Sequence, residues 1–132
     1  MKYLLDTCVW LRLVDSPETL SRAAQDILLD ASVYPVGLAT ISVWEVARKE
    51  SLGKLGLSKS SKEWLRDASN VTGVTLLSLT HSIAWASCHL PEPFHRDPAD
   101  QIIVATARVQ DLTLITTDGK IIDYPHVKTV KA

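Results

Sequence analysis

The sequence predicts an α/β domain with a mainly parallel central sheet and helices on both of its faces. Two observations lead there. Short apolar runs of strand length alternate with longer segments whose apolar residues recur at helical spacing. The best loop candidates, 53–60, 91–96 and 121–126, are short, and none has the composition of an interdomain linker, so residues 1–132 read as one domain.

Each element follows from its residues. Residues 3–5 form a short apolar run that ends at Asp6, as a buried first strand would. Residues 9–14 are apolar at nearly every position and read as helix. In 21–32, Ala23, Ala24, Ile27, Leu28 and Ala31 recur at helical spacing. Residues 36–39 are a second strand-length run. Residues 42–52 read as helix on the spacing of Val43, Val46, Ala47 and Glu50, and 62–71 as another. A strand is predicted at 74–79, then a helix at 82–89 entered through Thr80 or His81. The clearest helix is 98–109, opened by Asp97-Pro98, an N-cap aspartate before a proline at the first helical position. Strands at 112–116 and 127–130 complete the chain.

Composition removes several classes of function. The formal net charge is −1, so a protein that coats nucleic acid electrostatically is excluded, and any such role must be local. The two cysteines, Cys8 and Cys88, make neither a disulfide framework nor a zinc motif, and a reducing cytoplasm is expected. No run approaches the roughly 18 apolar residues of a membrane helix. Asp6 interrupts the first apolar run too early for a secretory signal. Five scattered glycines offer no phosphate-binding loop. A haloacid-dehalogenase-like phosphatase needs a second aspartate two positions after the first, where Cys8 stands. A receiver domain needs an aspartate after 74–79, where Thr80 and His81 follow.

Four acids stand at element junctions. Asp6 closes the first strand, and Asp118 follows the strand 112–116. Glu45 and Asp100 lie early in helices 42–52 and 98–109. In a parallel sheet, strand ends and the starts of following helices share one edge, where sites form. Clustered carboxylates there suit metal-assisted phosphodiester hydrolysis, because magnesium and manganese take oxygen ligands and activate water. Without a cation such a cluster repels itself and any phosphate. Local readings stand beside this one: Asp6 as an N-cap, Ser42-x-x-Glu45 as a capping box, Asp118-Gly119 as a turn.

Leu5-Asp6-Thr7, Ser42-x-x-Glu45, His95-Arg96-Asp97-Pro98-Ala99-Asp100 before an alanine-rich helix, and Leu114-Ile115-Thr116-Thr117-Asp118 resemble the motifs of PIN domains, nearest to the VapC-type toxins of toxin–antitoxin pairs. The resemblance runs in order along essentially the whole chain. It implies a three-layer α/β/α sandwich, a magnesium or manganese cofactor, and endonucleolytic cleavage of RNA. It also implies a cognate VapB-type antitoxin and a toxin homodimer as partners. Asp6, Glu45, Asp100 and Asp118 match the family's acidic site. Asp6 and Asp100 would be the main metal ligands. Glu45 would complete the pocket or assist the attacking water, and Asp118 would serve a second metal or act through water. Asp97 would support the site, and Thr7 and Thr117 would supply orienting hydroxyls. Gln101 and Cys8 depart from the pattern, where the subgroup commonly has arginine and histidine or asparagine. The alternative reading is a PIN fold that binds RNA or protein without cutting.

His95 and Arg96 are expected to contact RNA phosphate, unless they lie on a solvated loop. The segment around Trp10, Leu11 and Leu13 is apolar on nearly every side. An exposed patch there, with Trp44, is expected to meet a protein partner.

Overall fold

A computed structural model describes residues 1–132. Five strands form a single sheet: β1 (Tyr3–Leu5), β2 (Val36–Ala39), β3 (Val74–Leu77), β4 (Thr113–Thr116) and β5 (Thr129–Lys131), in the order β3-β2-β1-β4-β5. Every pairing is parallel. The helices are α1 (Thr7–Asp15), α2 (Arg22–Leu28), α3 (Thr40–Ser51), α4 (Ser61–Ser69), α5 (His81–Ser87), α6 (Pro98–Val109) and α7 (Gly119–Ile122).

Side-chain alternation along the strands divides the core in two. Leu5, Val36, Leu38 and Ile115 pack with Val9 and Trp10 of α1, Ala24 and Leu28 of α2, Val46 of α3, and Trp64 and Ala68 of α4. Leu4, Ala39 and Leu114, on the other face, pack with Ile103, Val104 and Ala107 of α6 and Ile121 of α7. Neighbouring residues such as Leu4 and Leu5 thus serve opposite layers, as strand geometry requires. The result is the expected α/β/α sandwich with a parallel sheet.

Most boundaries differ from the sequence reading by a residue or more, and three of the differences have a local physical reason. Helix α2 stops at Leu28, and Asp30 caps a separate 3₁₀ turn at Ala31–Val33 by accepting from Ser32 N. Helix α3 starts at Thr40, directly from the strand, with Ala39 as an N-cap that makes no side-chain bond. Ser42 is therefore inside the helix and fully buried, not its cap. Part of the expected 121–126 loop belongs to α7, which Asp118 caps. Before β3, Gly73 holds φ at +88°, and a Cβ there would stand 2.7 Å from the Tyr34 ring. Glycine relieves both the strain and the clash.

The expected patch around Trp10 is overturned. Trp10 is fully buried, its ring edge-on to Trp64 with centroids 5.2 Å apart. Its indole N–H donates to the Ala68 carbonyl at 3.3 Å, so the polar atom is also satisfied inside. Leu11 and Leu13 pack partly buried against the same cluster. The apolar surround seen in the sequence is the meeting of α1 with both the sheet and α4. Trp44 remains 55% exposed, and Trp85 is 62% exposed.

Candidate active site

The chain leaves β1 toward β2 on one side of the sheet, while β4 pairs with β1 on the other. This reversal opens a crevice at the carboxyl ends of β1 and β4, where sites in such sheets form. Asp6 sits in it, and its backbone N–H donates to Ile115 at 3.0 Å.

Asp6 is only 6% exposed. One carboxylate oxygen accepts from Thr7 N at 2.8 Å and the other from Thr116 Oγ1 at 2.6 Å. Burial pushes its pKa up, against the pull of those two hydrogen bonds, and the nearby Asp118 pushes it further. Asp6 is thus both the N-cap of α1 and a site carboxylate. Each ionised oxygen keeps a free lone pair for a cation.

Glu45 reaches the same place from the second turn of α3. Thr7 Oγ1 donates to its carboxylate at 2.6 Å and is also hydrogen-bonded to Ser42 Oγ at 2.9 Å. A hydroxyl has one proton, so with Thr7's on Glu45, Ser42 supplies the other bond. Burial raises the Glu45 pKa, and Lys49, one turn on, opposes the rise. The capping-box reading of Ser42 and Glu45 is overturned: early entry into α3 turns both inward.

Asp97 caps α6, its Oδ1 accepting from Ala99 N at 2.9 Å and Asp100 N at 3.2 Å. That cap fixes the first turn, from which Asp100 faces the crevice. The Asp100 carboxyl is pushed up to about 7, first by burial, then by the charges of Asp97, Asp6, Glu45 and Asp118. Asp118 caps α7 by accepting from Lys120 N at 2.8 Å. Its own N–H donates to Thr116 Oγ1 at 3.0 Å. One hydroxyl therefore ties the loop of Asp118 to the carboxylate of Asp6.

Thr117, expected to orient a carboxylate, makes no side-chain hydrogen bond; Thr116 does this work instead. Thr116 is the fully buried last residue of β4, whereas Thr117 lies beyond the strand and is half-buried. Ser42 and Thr116 were not singled out in the sequence as site residues. A hydroxyl at the last position of a buried strand was the available signal for Thr116. Arg96 is exposed on the loop. His95 is turned inward, with its side chain 20% exposed and Nε2 3.1 Å from Asp100 Oδ2. Gln101 holds that loop by donating to the His95 carbonyl at 3.1 Å.

The donors suit a hard divalent cation. Oxygens of Asp100 and Asp118 and a nitrogen of His95 lie within 4.8 Å of one another. Asp6, Glu45 and Asp100 all have raised pKa values in part because the other acids face them. A cation removes that repulsion. A groove of about 290 Å³ runs beside the acids, lined by Trp44, Glu45, Arg48, Lys49, Lys54 and Asp97 among others. A larger hollow of about 540 Å³ between the start of β1 and the α2–β2 connection contains none of them.

The PIN domain model matches residues 3–127. Ribonuclease VapC22 of Mycobacterium tuberculosis (strain ATCC 25618 / H37Rv) is 31% identical over 127 residues, covering 96% of this chain and 95% of the relative. Among solved structures, VapBC2 from Rickettsia felis bound to a DNA fragment from its promoter superposes with a TM-score of 0.70 at 14% identity, over 99% of this chain and 98% of that one. A toxin–antitoxin complex from Klebsiella pneumoniae superposes with a TM-score of 0.65 at 20% identity, over 99% and 100%. Sequence match and shared fold agree, and the chain belongs to the PIN-domain family, with the ribonuclease VapC22 among its relatives.

Proposed function

We propose that this protein is a metal-dependent endoribonuclease that hydrolyses RNA phosphodiester bonds at the acidic crevice, as the toxin of a toxin–antitoxin pair. The observation that carries the reading is the convergence of Asp6, Glu45, Asp100 and Asp118 at the β1/β4 reversal. Asp6, Asp100 and Asp118 would hold magnesium or manganese. A bound divalent cation lowers the pKa of water and neutralises charge on the scissile phosphate.

The remaining work falls to this chain. Thr116 and Thr7 N hold both oxygens of Asp6, so its orientation is set before substrate arrives. Glu45, held by Thr7, would take a proton from the attacking water; its raised pKa brings it nearer the working range of a general base. Lys49, Arg48 and Lys54 line the adjacent groove and offer cations to RNA phosphates on a chain whose net charge is −1. Arg96, exposed on the loop before α6, would serve the same role.

A VapB-type antitoxin is the partner proposed, on the strength of the toxin–antitoxin complexes that share the fold. Exposed Trp44 in the groove beside Glu45 is a fitting anchor for it. The protein is proposed to act in the cytoplasm as a homodimer. Exposed Leu76 on the edge strand β3, Leu79 just beyond it and Trp85 on α5 would give that contact apolar surface. No helix is long and apolar enough to cross a membrane.

The test is cleavage of total RNA by antitoxin-free protein, with magnesium or manganese against EDTA. Discrete metal-dependent fragments are expected. Asp6→Asn is expected to lower the rate by about 100-fold or more while the protein stays folded. No cleavage by folded, metal-loaded protein overturns the nuclease reading in favour of a binding module.

A further inference from the structure

The geometry points to His95 as a nitrogen ligand of the active-site cation, one that biases the site toward first-row transition-metal ions over Mg²⁺. This rests on the metal-dependent reading above and adds a residue type that an all-carboxylate site lacks.

Three features of His95 carry the inference. Its Nε2 is buried from solvent and makes no hydrogen bond, a costly state for a ring nitrogen unless something else claims its lone pair. The atom lies 3.1 Å from Asp100 Oδ2 without the alignment a hydrogen bond requires. Two ligands in adjacent octahedral positions at about 2.1 Å from an ion are separated by about 3 Å, so this spacing suits donors that share an ion. The Asp118 carboxylate completes a trio whose donor atoms all lie within 4.8 Å.

The ring is also held in place. Gln101 Nε2 donates to the His95 backbone carbonyl at 3.1 Å from the first turn of α6, the turn that carries Asp100. The Phe94 ring packs against the imidazole with centroids 4.4 Å apart. Donor and carboxylate therefore move as one unit with the start of α6. With its proton on Nδ1, the neutral ring presents the Nε2 lone pair to the trio. Imidazole adds affinity for first-row ions through the softer, more covalent bond they form, whereas Mg²⁺ prefers oxygen and retains its water.

The probe is Mn²⁺ bound to the antitoxin-free full chain, read by pulsed electron paramagnetic resonance. Wild type is expected to show ¹⁴N coupling from one directly bound imidazole. The coupling is expected to vanish in His95→Ala and His95→Gln, while Mn²⁺ still binds about tenfold or more weaker and Mg²⁺ affinity, from competition, moves less than about threefold. Circular dichroism checks folding of both variants, and the wild-type spectrum stands regardless of them. Mn²⁺ bound without ¹⁴N coupling, or coupling retained in the folded variants, overturns the assignment of His95 and leaves the acidic site intact. Mn²⁺ that fails to bind wild type overturns both, and Asp100→Asn then changes nothing.

Discussion

Asp6, Thr116 and Asp118 form the smallest unit that explains the site. The Thr116 hydroxyl donates to Asp6 and accepts from the backbone of Asp118, so one buried oxygen sets both acids. That donation also lowers the Asp6 pKa against the effect of burial. Thr116→Val keeps the shape and removes the bond. It is expected to raise the Asp6 pKa, move the acidic limb of the cleavage pH profile upward, and cost about 10- to 100-fold in rate or metal affinity at neutral pH. A pH–rate profile matching wild type would show that Thr116 merely fills space. Of two adjacent threonines, Thr116 makes the bonds to Asp6 and Asp118, and only the end of the strand distinguishes it from Thr117.

Among the elements, α1 and α3 matter most, since each combines packing with site construction. Trp10 in α1 and Trp64 in α4 are the two largest fully buried side chains, and they meet in the core on one face of the sheet. Trp10→Ala is expected to destabilise the fold by about 3–5 kcal/mol, well above the effect of a surface tryptophan such as Trp44. Chemical denaturation of the two alanine variants checks this; equal small losses would mean α1 is not clamped by α4. In α3 the lack of any loop after β2 is decisive. It brings Ser42 and Glu45 inward to meet Thr7, the first residue of α1. Sequence pattern alone favoured a helix beginning at Ser42, because the capping-box spacing was satisfied there.

For the whole molecule, the acids make metal and pH act on stability together. Asp6, Glu45 and Asp100 are all raised in the folded state, Asp100 from 3.8 to about 7. A carboxyl raised on folding contributes stability that is fully present below its unfolded pKa. That contribution is lost as pH rises through the folded value. Metal-free protein is therefore expected to lose melting temperature between about pH 4 and pH 7 on account of these groups. A divalent cation at 100 times its pH 8 Kd is expected to return about 2.7 kcal/mol at pH 8, and the same concentration less at pH 5, where protons compete. Calorimetry at both values, with and without Mn²⁺, measures it. A metal-free protein most stable at pH 8, with no response to Mn²⁺, would contradict the clustered-carboxylate account.

The alternation of strand-length and helix-length apolar segments was enough to specify the α/β class, because side-chain period is a local property. The same holds for Asp97-Pro98, which opened α6 as read, since capping involves only neighbours in the chain. The acids Asp6, Glu45, Asp100 and Asp118 could be picked out because parallel strands impose one edge on every strand end. Strand order, and with it the crevice between β1 and β4, came only from tertiary pairing. So did the burial of Trp10, the inward turn of Ser42 and His95, and the choice of Thr116 over Thr117. Each of these depends on which surface of one element meets another, and the physical reason they escaped the sequence is that such contacts join residues far apart along the chain: Trp10 with Trp64, Thr7 with Glu45, Thr116 with Asp6.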